Sequence, residues 1–282
     1  MIVFVTPRLP AVNVDEFTYG RAPELSKRFC VVEYRDIHRV LNFEATWVFL
    51  SRDLCTPEEH QHALDAECKL IAAGRRILNM PSRVSGRLAL LDRLHRAGIN
   101  PFRAFALQDV AAVRLPVIVR SVHHTGRESP LVTDLTQLST IRDVLGAHPD
   151  AMVSEFFDTK RADGLYAKYS VLRIGDRIIP RHVLFSESWC VRKADTITPK
   201  LIEEEAAFLN AEVPREVVTA FELGSIDYGR IDYSLRPEGG IVVWEINLDP
   251  VLVPNPQRTH PLREPSHQQT AIHALSAFRA LL

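Results

Sequence analysis

Two runs in the last quarter of the chain, Gly229-Arg230-Ile231-Asp232-Tyr233 and Ile241-Val242-Val243-Trp244-Glu245-Ile246-Asn247, set polar residues into an apolar background at intervals of two. That is the period of a strand, whose successive side chains point to opposite faces. Leu235-Arg236-Pro237-Glu238-Gly239-Gly240 between them is turn chemistry. The spacing predicts a hairpin with Asp232 opposite Glu245 and Arg230 opposite Asn247, all four on one face. Lys168–Ile174 and Arg177–Phe185 predict a second hairpin about the Gly175-Asp176 turn.

Elsewhere the pattern predicts strands at Ile2–Thr6, Cys30–Tyr34, Thr46–Ser51, Arg76–Asn79, Leu115–Val122 and Ala151–Phe157. Helices are expected over Pro57–Ala73 with Thr56 as N-cap, and over Val84–Ala97 with Leu88, Leu91 and Leu94 along one side. Further helices are expected over Leu135–Leu145, Pro199–Asn210, Pro214–Leu223 and His267–Leu282. The proline-rich stretch Asp249–Pro265 reads as a long loop wrapping the site. The fold class is α/β (α+β), and the first 80 residues read as a small α/β unit.

A formal net charge of −1 removes the electrostatic argument for a nucleic-acid or anionic-membrane partner. No apolar run approaches the length of a membrane span, and Met1–Pro7 lacks a basic leader, so it reads as a strand. Cys30, Cys55, Cys68 and Cys190 form no CxxC pair, which indicates neither a zinc site nor a disulfide framework and favours a reduced, cytoplasmic setting.

Two acids on adjacent strands, taken alone, also describe a solvated surface hairpin. Ile226, Ile231, Ile241, Val242, Val243, Trp244 and Ile246 make these strands apolar enough to be central, and charges there need partners or a metal. Two carboxylates and an amide oxygen are hard donors suited to Mg²⁺, which takes its other ligands from water and substrate phosphates.

The order of elements from Arg76 to Pro250 resembles the ATP-grasp superfamily, with motifs most like those of D-alanine–D-alanine ligases. The likeness rests on Gly229-Arg230-Ile231-Asp232 and Glu245-Ile246-Asn247-Leu248-Asp249-Pro250. It implies two α+β subdomains enclosing ATP, over 81–150 and 151–282, after an N-terminal domain over 1–80. It implies a carboxylate phosphorylated to an acyl phosphate and then attacked by an amine or similar nucleophile. Small-molecule carboxylate and amine substrates are the partners, with ATP and two Mg²⁺ ions (Mn²⁺ as a substitute); a homodimer is compatible with this.

Residue by residue, the resemblance implies that Asp232, Glu245 and Asn247 bind metal and that Arg230 holds the reacting carboxylate. Arg87 and Arg120 stand where the family has phosphate-gripping lysines. Ser121–Ser129 takes the place of the glycine-rich loop. Glu155 and Phe157 match the adenine linker, Lys168 falls near the position of the ribose-binding acid, and Arg181 is a triphosphate candidate, with Lys193 a weaker one. Trp189 and Arg258 are candidates for reading the substrate. A kinase on the same fold, or a nucleotide-binding regulatory module, remain alternatives to a ligase.

Overall fold

Ile2-Val3-Phe4-Val5 and Trp47-Val48-Phe49 are apolar at every position, as strands buried on both faces of a parallel sheet must be. The computed structural model, which describes residues 1–9, 12–107, 113–121, 131–138, 140 and 151–282, uses them in that way. Strands β1 (Ile2–Thr6), β2 (Phe29–Glu33), β3 (Thr46–Phe49) and β4 (Ile77–Leu78) form a parallel sheet in the order β2-β1-β3-β4. Helix α1 (Val12–Gly20) is an addition to the sequence reading; its Val, Thr and terminal Gly are weak helix formers that hide the period. Helix α2 (Pro57–Ala72) begins with a capping box between Thr56 and Glu59. Helix α3 (Arg87–Arg96) starts later than Val84, with Gly86 as N-cap, and buries Leu90, Leu91 and Leu94.

A second sheet holds β5 (Ala104–Ala106), β6 (Val117–Ser121), β7 (Leu131–Val132) and β8 (Ala151–Glu155), antiparallel in the order β5-β8-β6-β7. β5 is too short for its period to be read. β8 pairs with β5 and β6, so the change of sheet comes after Glu155. Of the helix expected over Leu135–Leu145, residues 135–138 and 140 are described and are helical. Val122–Ser129, expected as the glycine loop, lies outside the described residues.

The third sheet carries both expected hairpins: β9 (Tyr166–Ile174), β10 (Arg177–Ser186), β11 (Tyr228–Leu235) and β12 (Ile241–Asn247), in the order β10-β9-β11-β12. Gly175 takes the positive φ of +60° that its two-residue turn requires. Residues paired across antiparallel strands share a face. One face, with Tyr169, Val171, Ile231, Tyr233 and Val243, packs on α3 and on α5 (Arg215–Gly224), the helix after α4 (Pro199–Leu209). The other face is divided. Leu172, Ile174, Ile179 and Tyr228 pack against the N-terminal sheet and α6 (Glu264–Arg279). Further along, the same face turns polar, with His182, Ser170, Asp232 and Glu245 in cross-strand register and Lys168 two residues from Ser170 on β9.

Two buried asparagines fix where that polar half lies. Asn79 Nδ2 donates to the carbonyls of Phe49 (3.2 Å) and Tyr228 (2.7 Å), and Oδ1 accepts from the N–H groups of Asp227 (2.9 Å) and Tyr228 (3.0 Å). It thus clamps the first sheet to the start of β11. Asn100, just after α3, holds β12 by exchanging two hydrogen bonds with the Val243 backbone. Asn79 is fully buried at φ +56°, so Asn79→Ala is expected to lower stability by roughly 3 kcal/mol or more, from orphaned backbone groups plus a left-handed alanine. Urea denaturation checks this; an unchanged midpoint would show that the clamp is dispensable.

The stretch Asp249–Pro265 carries two short 3-10 turns, Pro256–Arg258 and Pro261–Arg263, and its end from Glu264 belongs to α6. It straps α1 to the third sheet: Asn13 Nδ2 donates to the Asp249 carbonyl, Arg21 Nε to that of Pro254, and Arg181 Nε to that of Leu252. No helix among the described residues is long and apolar enough to cross a membrane.

Candidate functional site

The hairpin pairs Asp232 with Glu245 and Arg230 with Asn247, as the alternation requires, and a bulge at Trp244 follows. Asp232 is fully buried. Its Oδ1 accepts from Ser170 Oγ (2.7 Å) and Arg230 Nε (2.8 Å), its Oδ2 from Arg230 Nη2 (3.0 Å), and Lys168 Nζ lies 3.4 Å from Oδ2. Burial pushes this carboxyl up, but Arg230 and Lys168 outweigh it and hold it below its ordinary value.

Behind Asp232 the polar row continues. Ser170 Oγ also meets His182 Nε2 at 2.8 Å, and Arg181 contacts His182 Nδ1. With the Ser170 proton given to Asp232, the imidazole is neutral and carries its proton on Nε2. Burial, then repulsion from Arg181, Arg263 and Arg230, drives its pKa well below the ordinary value. Ser170 and His182 escaped the sequence reading, although the period-two register that gathers the hairpin's polar groups also aligns them with Asp232.

On the other side two arginines close in, one from α3 and one from the second sheet. Arg87, on the first turn of α3, reaches the Ser121 carbonyl at 3.1 Å and Glu245 Oε2 at 3.1 Å. Arg120, on β6, donates to the Trp244 carbonyl at 2.9 Å. Both therefore bridge the second and third sheets at the bulge. The Arg120 pKa is pushed down to about 10 by burial and then by Arg87, against a smaller opposing pull from Glu245. Among the described residues its Nε is buried without a hydrogen-bond partner. A crowded, desolvated cation with a spare donor is a site for an anion.

The other candidates divide. Lys168 joins the cluster. Arg181 is buried in the β10 bulge, where it donates to the Leu252 carbonyl and contacts His182. Phe157 is half-buried against the third sheet. Trp189 packs edge-on to Phe156 with ring centroids 5.4 Å apart. Lys193 is exposed, and Arg258 sits on the surface 3.9 Å from Glu16.

Glu155 is buried beneath Arg103 and Arg114 and accepts from both guanidinium groups and both backbone N–H groups. This geometry makes it an anchor for the linker; an exocyclic amine would have to compete with those donors. Burial alone would raise its pKa, but these hydrogen bonds hold it at about 2, below the ordinary 4.5. A folded pKa depressed in this way contributes stability above the unfolded value, lost as pH falls toward the folded one. The urea midpoint of wild type is therefore expected to exceed that of Glu155→Gln near neutral pH, and the gap to close between about pH 5 and about pH 2. A gap independent of pH would contradict this.

Beside the cluster lies a cavity of about 580 Å³, bounded by the loop after β3, the first turn of α3 and the end of β12. Arg87 and Asn247 line it together with Asp53, Asp249 and the apolar side chains of Leu90 and Leu248. Burial raises the Asp249 carboxyl to about 6, only partly offset by Asn13.

Among the described residues no three His, Cys, Asp or Glu side chains gather as a metal site. Asp232, Glu245 and Asn247 offer two carboxylates and an amide in adjacent register, a hard-oxygen set that fits Mg²⁺ with water and phosphate completing its shell. Asp232 fits least readily, since Arg230 already holds both of its oxygens.

No protein-family model matches this chain, and no curated protein matches its sequence. Solved structures do match its fold. The D-alanine–D-alanine ligase of Bacillus anthracis, complexed with ATP, aligns at TM-score 0.53 and 11% identity over 99% of this chain and 97% of its own. The VanG D-Ala:D-Ser ligase of Enterococcus faecalis aligns at 0.55 and 12% over 98% of each. A RimK-domain ATP-grasp protein of Sphaerobacter thermophilus aligns at 0.52 and 16% over 97% and 98%.

Proposed function

We propose that this chain, whose fold is that of the ATP-grasp proteins, is an ADP-forming ligase that activates a carboxylate with ATP and joins it to an amine or similar nucleophile. The observation that carries this reading is the convergence of Arg87, Arg120, Lys168 and Arg230 on the Asp232–Glu245–Asn247 hairpin where the second and third sheets meet. Four cations around two carboxylates leave an excess of positive charge that a triphosphate would balance.

In this reading Arg87 and Arg120 grip the phosphates, with planar forks in place of point charges. Lys168 and Arg230 turn from Asp232 toward the anionic substrates when these enter. The substrate carboxylate oxygen attacks the γ-phosphorus, and ADP departs. The nucleophile then adds to the acyl carbon, the C–N bond forms, the C–O bond to phosphate breaks, and the surplus proton leaves with phosphate or to water. Arg230 stabilises the oxyanion of that addition. Glu245, Asn247 and, once released by Arg230, Asp232 would hold Mg²⁺, which supplies charge neutralisation to the transferring phosphoryl group.

The test is incubation with ATP, Mg²⁺ and pools of carboxylates and amines, following ADP and product masses. ADP with a condensed product supports the ligase. ADP with a stable phosphorylated compound would make it a kinase instead, and tight ATP binding with no ADP from any pool would make it a regulatory module.

A further inference from the structure

The cavity beside the cluster has a chemical bias that the phosphate-binding cations lack. Its charged lining is Asp53, Asp249 and Arg87. Arg87 is neutralised by Glu245 at 3.1 Å, so the charge left unanswered is negative. Asp249 Oδ1 is buried and, among the described residues, has no hydrogen-bond partner. A buried carboxylate oxygen without a donor is costly, and an incoming donor relieves that cost. Around these two acids the lining combines the aliphatic Leu54, Leu90, Ile226 and Ile246 with uncharged polar groups, Ser51, Thr56, Ser85 and Asn247 among them.

At about 580 Å³ the space is that of a small-molecule site, commonly ~300–1,000 Å³. The acids come from different units, Asp53 from the loop after β3 and Asp249 from the loop after β12, so the cavity requires both units folded together. Asn247 and Arg87 belong to its wall and to the candidate reaction site alike, which places its contents next to the reacting groups.

We propose that this cavity selects a small aliphatic molecule bearing a protonated amine, with Asp249 as its principal charge partner and Asp53 as the second. The inference rests on the ligase reading only in taking this molecule to be a substrate; recognition of the ammonium group is independent of ATP. An aliphatic ammonium answers the two acids with its charge and covers the leucines and isoleucines of the wall with its carbon body.

Saturation-transfer NMR on the full chain, with n-pentylammonium and its uncharged counterpart n-pentanol as probes, tests this without turnover. The ammonium is expected to bind more tightly than the alcohol by roughly tenfold or more, as one charge-assisted hydrogen bond allows. Asp249→Asn and Asp53→Asn are each expected to reduce that preference, and Asp176→Asn, on the exposed β9–β10 turn, to leave it intact. Equal binding of the two probes, or a preference untouched by both Asp53→Asn and Asp249→Asn, overturns the proposal. Should Asp249→Asn fail to fold, Asp53→Asn decides alone. ATP binding is measured in parallel: ATP bound without ammonium preference sinks this inference and spares the ligase reading, whereas Asp-dependent ammonium binding without ATP binding does the reverse.

Discussion

Glu245→Gln is expected to lower ADP formation by roughly 10²–10³-fold, the scale of removing one charged or oriented group from a preorganised electrostatic site. Glu245 sits opposite Asp232 on the hairpin and pairs with Arg87, at the bulge where the second sheet meets the third. Glutamine preserves its length and still offers Oε1 to Arg87, so the sheet contact persists while a negative charge and a hard ligand are lost. The Mg²⁺ concentration needed for half-maximal turnover should rise in the same variant. Turnover within about threefold of wild type, far below the expected loss, would remove Glu245 from the metal-binding set and weaken the hairpin as the reaction centre.

Asp232→Ala is expected to fail for a different reason. Its carboxylate is fully buried and neutralises Arg230, itself 14% exposed, with Lys168 close by. Removing one member of a buried ion pair typically costs about 3–5 kcal/mol, because the other charge stays buried without a partner. The urea midpoint of the transition that includes the third sheet should drop accordingly. Asp232→Ala with Arg230→Met should recover much of the loss, since the orphaned charge goes too. A single variant as stable as wild type would mean that Arg230 finds another partner or reaches water. Lost activity in Asp232→Ala therefore cannot be assigned to metal binding alone, and Glu245→Gln is the cleaner probe of chemistry.

Both expectations start from a register that was readable in the chain. Arg230, Asp232, Glu245 and Asn247 occupy one strand face because side-chain direction in a hairpin depends only on parity and on where the turn falls. The Thr56 N-cap and the Gly175-Asp176 turn were legible for the same reason, since each is a local arrangement within a few residues. Helix α1 and strand β5 were not: one has weak formers, the other three residues, and both are held by packing rather than by propensity.

Function-bearing contacts divide along the same line. Arg87 and Arg120 could be singled out by their place in the order of elements, yet their shared bridge to the bulge at Trp244 depends on how two sheets meet. Arg181 and Glu155 looked equally available, and the fold spends one on Leu252 and His182 and the other on Arg103 and Arg114. Asp53 carried no signal and Asp249 none beyond its place in the Glu245–Pro250 motif, because a cavity between units has no period along the chain.

The sequence by itself determined which side chains share a strand face, which turns join the strands and where the main helices run, since these follow from φ/ψ preferences and from spacings of two or of about 3.6 residues. Only the tertiary structure decided which charges are partnered and which are left facing a cavity. That depends on groups up to 255 residues apart, as between Glu24 and Arg279, brought together by packing that the local chain does not encode.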